Sequence, residues 1–139
     1  MKQSYDSQQA PEPVGSYPHS LKAGPFLFLS GVGPRTRNSR DIPGVTLGDR
    51  GEILSYDIEE QCHAVLKNVK LILEASGARW EDLVDITVFL TNMKDDFKVF
   101  NKIYASYFTD HRPCRTTVEV NALPTPIAIE LKCIAYIGE

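Results

Sequence analysis

Hydrophobic and polar positions along the chain alternate with two periods, and each period predicts an element. After Asp57, the residues Ile58, Cys62, Val65, Leu66, Val69, Ile72 and Leu73 recur at the spacing of one helix face. Asp57 and Glu60 form a D-x-x-E capping signature before that run, and Gly77 supplies a stop after it. Next, Val84, Ile86, Val88 and Leu90 alternate with Asp85, Thr87, Phe89 and Thr91, which predicts a strand. A second helix is predicted from about Asp95 to Phe108. It carries an aromatic stripe of Phe97, Phe100, Tyr104, Tyr107 and Phe108, and Asp95 and Asp96 sit where the helix dipole favours negative charge. That stripe reads as core packing rather than as a cofactor box.

Shorter runs complete the pattern. Phe26 to Leu29 is a continuous apolar run ended by Ser30-Gly31, hence a buried strand, and Tyr17 to Ala23 suits an antiparallel partner turned at Gly24-Pro25. The stretch from Pro113 to Ile137 reads as two strands, about Thr116 to Val120 and Ile127 to Tyr136, joined by a proline-marked turn. Gly33 to Gly51 is rich in Gly, Pro, Arg and Asp and reads as a long surface loop. The polar, proline-containing start is expected to be loose or weakly paired, particularly residues 1–13. Two amphipathic helices need one sheet face to cover, so the expected fold is an α+β two-layer sandwich, a single domain over residues 1–139.

Composition narrows the function classes. A formal net charge of -3 provides no global basic field for nucleic acid. No apolar run approaches the roughly 20 residues of a membrane span, and the polar start lacks a signal-peptide core. Cys62, Cys114 and Cys133 are odd in number and widely spaced, with no CxxC pair. That argues against a disulfide framework or a structural zinc site and fits a reducing, cytoplasmic setting. No metal is expected.

Candidate chemistry concentrates near the end of the chain. Arg115 opens one predicted strand, and a guanidinium grips a carboxylate through a planar fork of donors. Its plain alternative is a surface ion pair with Asp110 or Glu119. Glu130 lies in an apolar strand, with Ile129, Leu131 and Cys133 on one face and Glu130, Lys132 and Ile134 on the other. A carboxylate so placed is either paired, for instance with Lys132, or working. An arginine and a glutamate facing a shared cleft would suit hydrolysis of a small anionic substrate. Arg35, Arg37 and Arg40 read as a solvated loop face or as a second carboxylate contact. Cys114 beside His111 carries little specificity as a nucleophile pair, His63 is expected to be solvated, and His19 is uninformative. Gly31-Val32-Gly33-Pro34 lacks the spacing of a phosphate loop.

In combination these residues resemble the reactive intermediate deaminase (Rid, YjgF-like) family of enamine and imine deaminases. The resemblance covers about Val14 to Ile137. It rests on Gly15-Ser16-Tyr17, the strand ending at Gly31, the helix from Gln61 to Gly77 and the strand from Asp85 to Thr91. It continues through Phe97 to Phe108 with Asn101, Arg115 to Val120, Leu123-Pro124 and Ile129-Glu130-Leu131. The resemblance implies a chorismate-mutase-like fold, a mixed sheet covered on one face by two helices, and a homotrimer with active sites between subunits. It implies that Arg115 binds the substrate carboxylate, that Glu130 positions and activates water, and that Tyr17, Gly31 and Asn101 line the pocket. Thr117 stands where the family commonly has cysteine. No cofactor is implied. The long loop after Gly31 and the turn Leu123-Pro124-Thr125-Pro126 further resemble the branch that deaminates 2-aminomuconate in bacterial aromatic degradation, with Arg35 a candidate for the distal carboxylate. The alternatives are a general 2-imino acid deaminase, a non-catalytic ligand-binding or chaperone-like module, and, disfavoured by the acidic balance, RNA cleavage.

Overall fold

Strand β6 (Leu83–Leu90) lies one strand in from an edge of the main sheet in a computed structural model that describes residues 1–138. Its alternation is the predicted one: Ile86, Val88 and Leu90 are buried, and Thr87 and Phe89 face the other way, half-buried. Helix α2 (Met93–Tyr107) leaves its end and returns the chain to β7 (Cys114–Glu119), which pairs parallel with β6. Strand β8 (Ile129–Tyr136) pairs antiparallel on the opposite side of β6. β7 and β8 are therefore not neighbours, contrary to the two-strand turn expected for Pro113 to Ile137. The reason is the helical crossover: it takes one edge of β6 for β7, and the following segment carries the chain across to the other edge.

Beyond β8 the sheet continues through β3 (Phe26–Leu29), β2 (Ser20–Ala23) and β1 (Lys2–Tyr5), giving the order β1-β2-β3-β8-β6-β7. β2 and β3 form the expected hairpin, turned by Gly24 at φ 61°. Of the stretch expected to be loose or weakly paired, Lys2–Tyr5 pairs in register with β2, from Lys2 opposite Ala23 to Tyr5 opposite Ser20. Its side chains are mostly exposed, so hydrophobic patterning gave no sign of it. The segment read as a loop to Gly51 is also partly ordered into strand. β4 (Val45–Leu47) and β5 (Ile53–Tyr56) make a separate hairpin around Gly51, whose φ is 78°.

Helix α1 (Ile58–Ala75) begins at Asp57, whose carboxylate accepts from the backbone N–H of Glu59 and Glu60. It packs on α2 and on β8, while α2 packs on β6, so both helices cover one face of the six-stranded sheet. Between the layers lie Leu27, Leu66, Leu73, Ile86, Phe100 and Leu131, all essentially without solvent contact. The opposite face stays open. Phe26, Phe28 and Tyr136 there are 40%, 36% and 50% exposed, and Phe26 meets Tyr136 edge to face at 5.4 Å. No helix among the described residues is long and apolar enough to cross a membrane.

Candidate functional site

The strand register assigns each candidate to a face. Glu130 lies opposite Phe89, whereas its neighbour Leu131 lies opposite Val88 of the core. Glu130 thus projects away from the helices. Its carboxylate packs against the backbone of Gly31, where an added Cβ would sit 2.5 Å from Oε2. A side chain at position 31 would push the Glu130 carboxylate out of this place. Together with Tyr17, Gly31, Arg35, Thr125 and Ile127, Glu130 lines a cleft of ≈ 330 Å³. The ring of Tyr17, 41% exposed, stands at its mouth, and its hydroxyl accepts from the Val14 N–H at 3.2 Å.

Arg35 enters this cleft because its loop is pinned from below. Asn68 of α1, buried, donates through Nδ2 to the carbonyls of Gly33 at 2.8 Å and Arg35 at 2.7 Å. The Arg35 guanidinium itself donates to the Glu12 carbonyl at 2.7 Å, a neutral partner that leaves its charge uncompensated. Burial pushes the Glu130 carboxyl above the usual carboxylate range, and the Arg35 charge pulls in the opposite direction. Arg37 has a structural role: it donates to the carbonyls of Ser7 and Ala10 and pairs with Glu12 at 3.3 Å. His19 shares that task. Buried, it accepts the Ser7 N–H at Nδ1 and bonds the Pro11 carbonyl through Nε2, tying down the N-terminal arm beside the cleft. His63 is exposed, as expected, and contacts the Tyr107 hydroxyl at 2.6 Å.

Arg115 faces the other way. It lies opposite Ile86, and Thr117 opposite Val88, so both are on the helix-covered face of edge strand β7. The guanidinium carbon rests 4.7 Å from the ring centroid of Tyr104, 5.3 Å from Phe100 and 5.9 Å from Phe97. Asn101 follows Phe97 by four residues and precedes Tyr104 by three, which puts it on the same side of α2. The plain readings of both charged candidates fail. Among the described residues the only ion pairs within 4.0 Å are Arg37–Glu12 and Arg79–Asp82. Glu119 accepts the Met93 N–H instead of pairing with Arg115, and Lys132 donates to the Leu29 carbonyl instead of pairing with Glu130.

The candidates therefore divide into two sets. Tyr17, Gly31, Arg35 and Glu130 share one cleft on the open side of the sheet, while Arg115 and Thr117 face α2 from β7 and Asn101 sits exposed on α2. A single crevice holding both Arg115 and Glu130, as expected from their types, does not exist within one chain, because the sheet separates them. Sequence reasoning missed Asn68 and Gln61, although a signal was present. Both are polar residues inside the apolar stripe of α1, a placement that demands a buried partner. Gln61 finds one in the Ala128 N–H at 2.8 Å, two residues before Glu130.

Comparison with known proteins agrees with the fold. The model of the family described as endoribonuclease L-PSP matches residues 7–137. A RutC family protein from Pyrococcus horikoshii is 40% identical over 98% of each chain. Reactive Intermediate Deaminase A, chloroplastic, of Arabidopsis thaliana is 39% identical over 96% of this chain and 65% of its own. The crystal structure of E. coli TdcF with bound serine superposes with a TM-score of 0.81 at 30% identity, covering 96% of this chain and 98% of that one. With nearly its full described length matched in both sequence and fold, this chain belongs to the Rid family, the group that also carries the YjgF, RutC and L-PSP names.

Proposed function

We propose that the chain hydrolyses the enamine or imine form of a small 2-amino acid, and that its substrate is a dicarboxylate of the 2-aminomuconate type. The observation that supports this most directly is the unpaired Glu130 carboxylate, half-buried against Gly31 in the same cleft as Arg35. The enamine first tautomerises to an imine, which makes C2 electrophilic. Glu130 takes a proton from a water molecule as that water attacks C2, and the carbinolamine forms. The same carboxyl passes that proton to nitrogen, then takes the carbinolamine hydroxyl proton and delivers it to nitrogen as the C–N bond breaks, so that the carbonyl forms and ammonia leaves behind a 2-oxo acid, here 4-oxalocrotonate. Arg115 holds the carboxylate next to the reacting carbon, and Arg35 holds the distal one. Tyr17, Gly31, Asn101 and Thr117 shape the pocket.

Because one chain keeps Arg115 and Glu130 on opposite faces of its sheet, the complete site in this proposal lies between copies, in a homotrimer. The exposed Phe26, Phe28 and Tyr136 on the uncovered face, and the position of β7 at a sheet edge, favour such association. The relative named Reactive Intermediate Deaminase A favours a broader second reading, a deaminase of general 2-imino acids. The formal charge of -3 speaks against the RNA cleavage that the family description names.

Ammonia release from enzymatically generated 2-aminomuconate and 2-iminopropanoate separates the two readings. The dicarboxylate should be turned over with the higher kcat/KM, and Arg115→Ala and Glu130→Gln should each lower it by about a hundredfold or more. Preference for 2-iminopropanoate would leave the broader reading standing. Unchanged turnover by both variants would remove the proposed chemistry altogether.

A further inference from the structure

We propose that Tyr104 is a positioning residue that holds Arg115 by its ring face and keeps the guanidinium available to a carboxylate. The inference rests on the reading of Arg115 as the carboxylate clamp. An arginine held by an acidic side chain would arrive at its substrate already neutralised. Arg115 has no such partner: among the described residues its charge enters no ion pair, and it lies across the rings of Tyr104, Phe100 and Phe97, nearest Tyr104 at 4.7 Å. A ring face attracts the cation through its quadrupole and takes none of the in-plane N–H donors.

The Tyr104 ring is itself immobilised. It is 8% exposed and packs on Phe100 at 5.5 Å and on Phe108 at 4.6 Å, and Phe108 stacks on Trp80 at 4.9 Å. Its hydroxyl is buried and has no hydrogen-bond partner, so no polar contact explains its place against the guanidinium. Thr117 Oγ1, two residues along the same face of β7, is likewise buried without a partner. The aromatic stripe of α2 thus serves the core with one side and the cation with the other.

The test is binding of 2-oxobutanoate and of its uncharged amide, 2-oxobutanamide, measured by calorimetry on the full chain. Replacement of position 104 by Phe and then by phenylalanines with one, two and three ring fluorines keeps shape while weakening the quadrupole. Preference for the acid over the amide should survive Tyr104→Phe, decline stepwise with fluorination, and fall about tenfold in Tyr104→Leu. Phe97→Leu, at the partly exposed end of the stripe, should show a smaller loss. A merely structural role would weaken acid and amide alike, and that result overturns the proposal. So does a preference that ignores fluorine content. If Arg115→Ala keeps the preference for the acid, the clamp reading itself falls, whereas its loss in Arg115→Ala with retention across the 104 series defeats only the cradle.

Discussion

Glu130 carries two opposing influences, and their balance sets both the activity and the stability it contributes. Desolvation favours its protonated form, and the uncompensated Arg35 guanidinium favours the carboxylate. Its folded pKa is raised, so the native state holds this proton to higher pH than the unfolded chain does. The contribution of Glu130 to stability is therefore full below the ordinary glutamate range and is lost as pH rises through the raised value. Glu130→Gln should accordingly raise the melting temperature at neutral pH while removing turnover, and a lower melting temperature would contradict the raised pKa. Replacing Arg35 by alanine removes the only influence that lowers the pKa. The acid limb of the kcat/KM profile should then move to higher pH, and an unmoved limb would show that Arg35 does not act on Glu130. The types Arg115 and Glu130 were recognisable as candidates from sequence because each stands out chemically against its strand. Their separation was not recognisable, because the faces they occupy depend on which strands pair.

At the scale of elements, α1 illustrates what hydrophobic period reveals and what it hides. Its extent, its Asp57 cap and its Gly77 stop follow from local rules, and the structure agrees to within two residues. The polar interruptions of its buried face are the functional part. Asn68 holds the two carbonyls that place Arg35, and Gln61 holds the backbone just ahead of Glu130, so one helix braces both walls of the cleft. Asn68→Ala should destabilise the fold by about 1–2 kcal/mol, since it leaves two partly buried carbonyls without their donor. If Arg35 depends on this clamp, the variant should also raise KM for a dicarboxylate more than for a monocarboxylate. Equal effects on both would show that Asn68 supports the fold without serving Arg35. β1 and the β4–β5 hairpin escaped sequence reading for the converse reason: largely exposed strands have no apolar alternation to betray them.

For the whole molecule, the decisive fact is that one sheet separates the two halves of the candidate site. If the halves come from different copies, Arg115→Ala and Glu130→Gln chains are each inactive alone yet complementary. Mixing them after reversible dissociation should restore a fraction of wild-type activity, through sites that draw the intact arginine from one chain and the intact glutamate from another. Mixtures that stay at the level of the single variants, despite exchange of subunits verified by mass spectrometry, would reject a shared site.

The sheet order has a consequence for biosynthesis. β8 is the last of the described strands to leave the ribosome, yet it is the strand that joins β1-β2-β3 to β6-β7. Until it inserts, β3 and β6 each present a naked hydrogen-bonding edge lined with apolar side chains, the kind of template that recruits other chains. Nascent or prematurely terminated products ending before Ile129 should be the aggregation-prone species, and chaperone demand should peak just before β8 emerges.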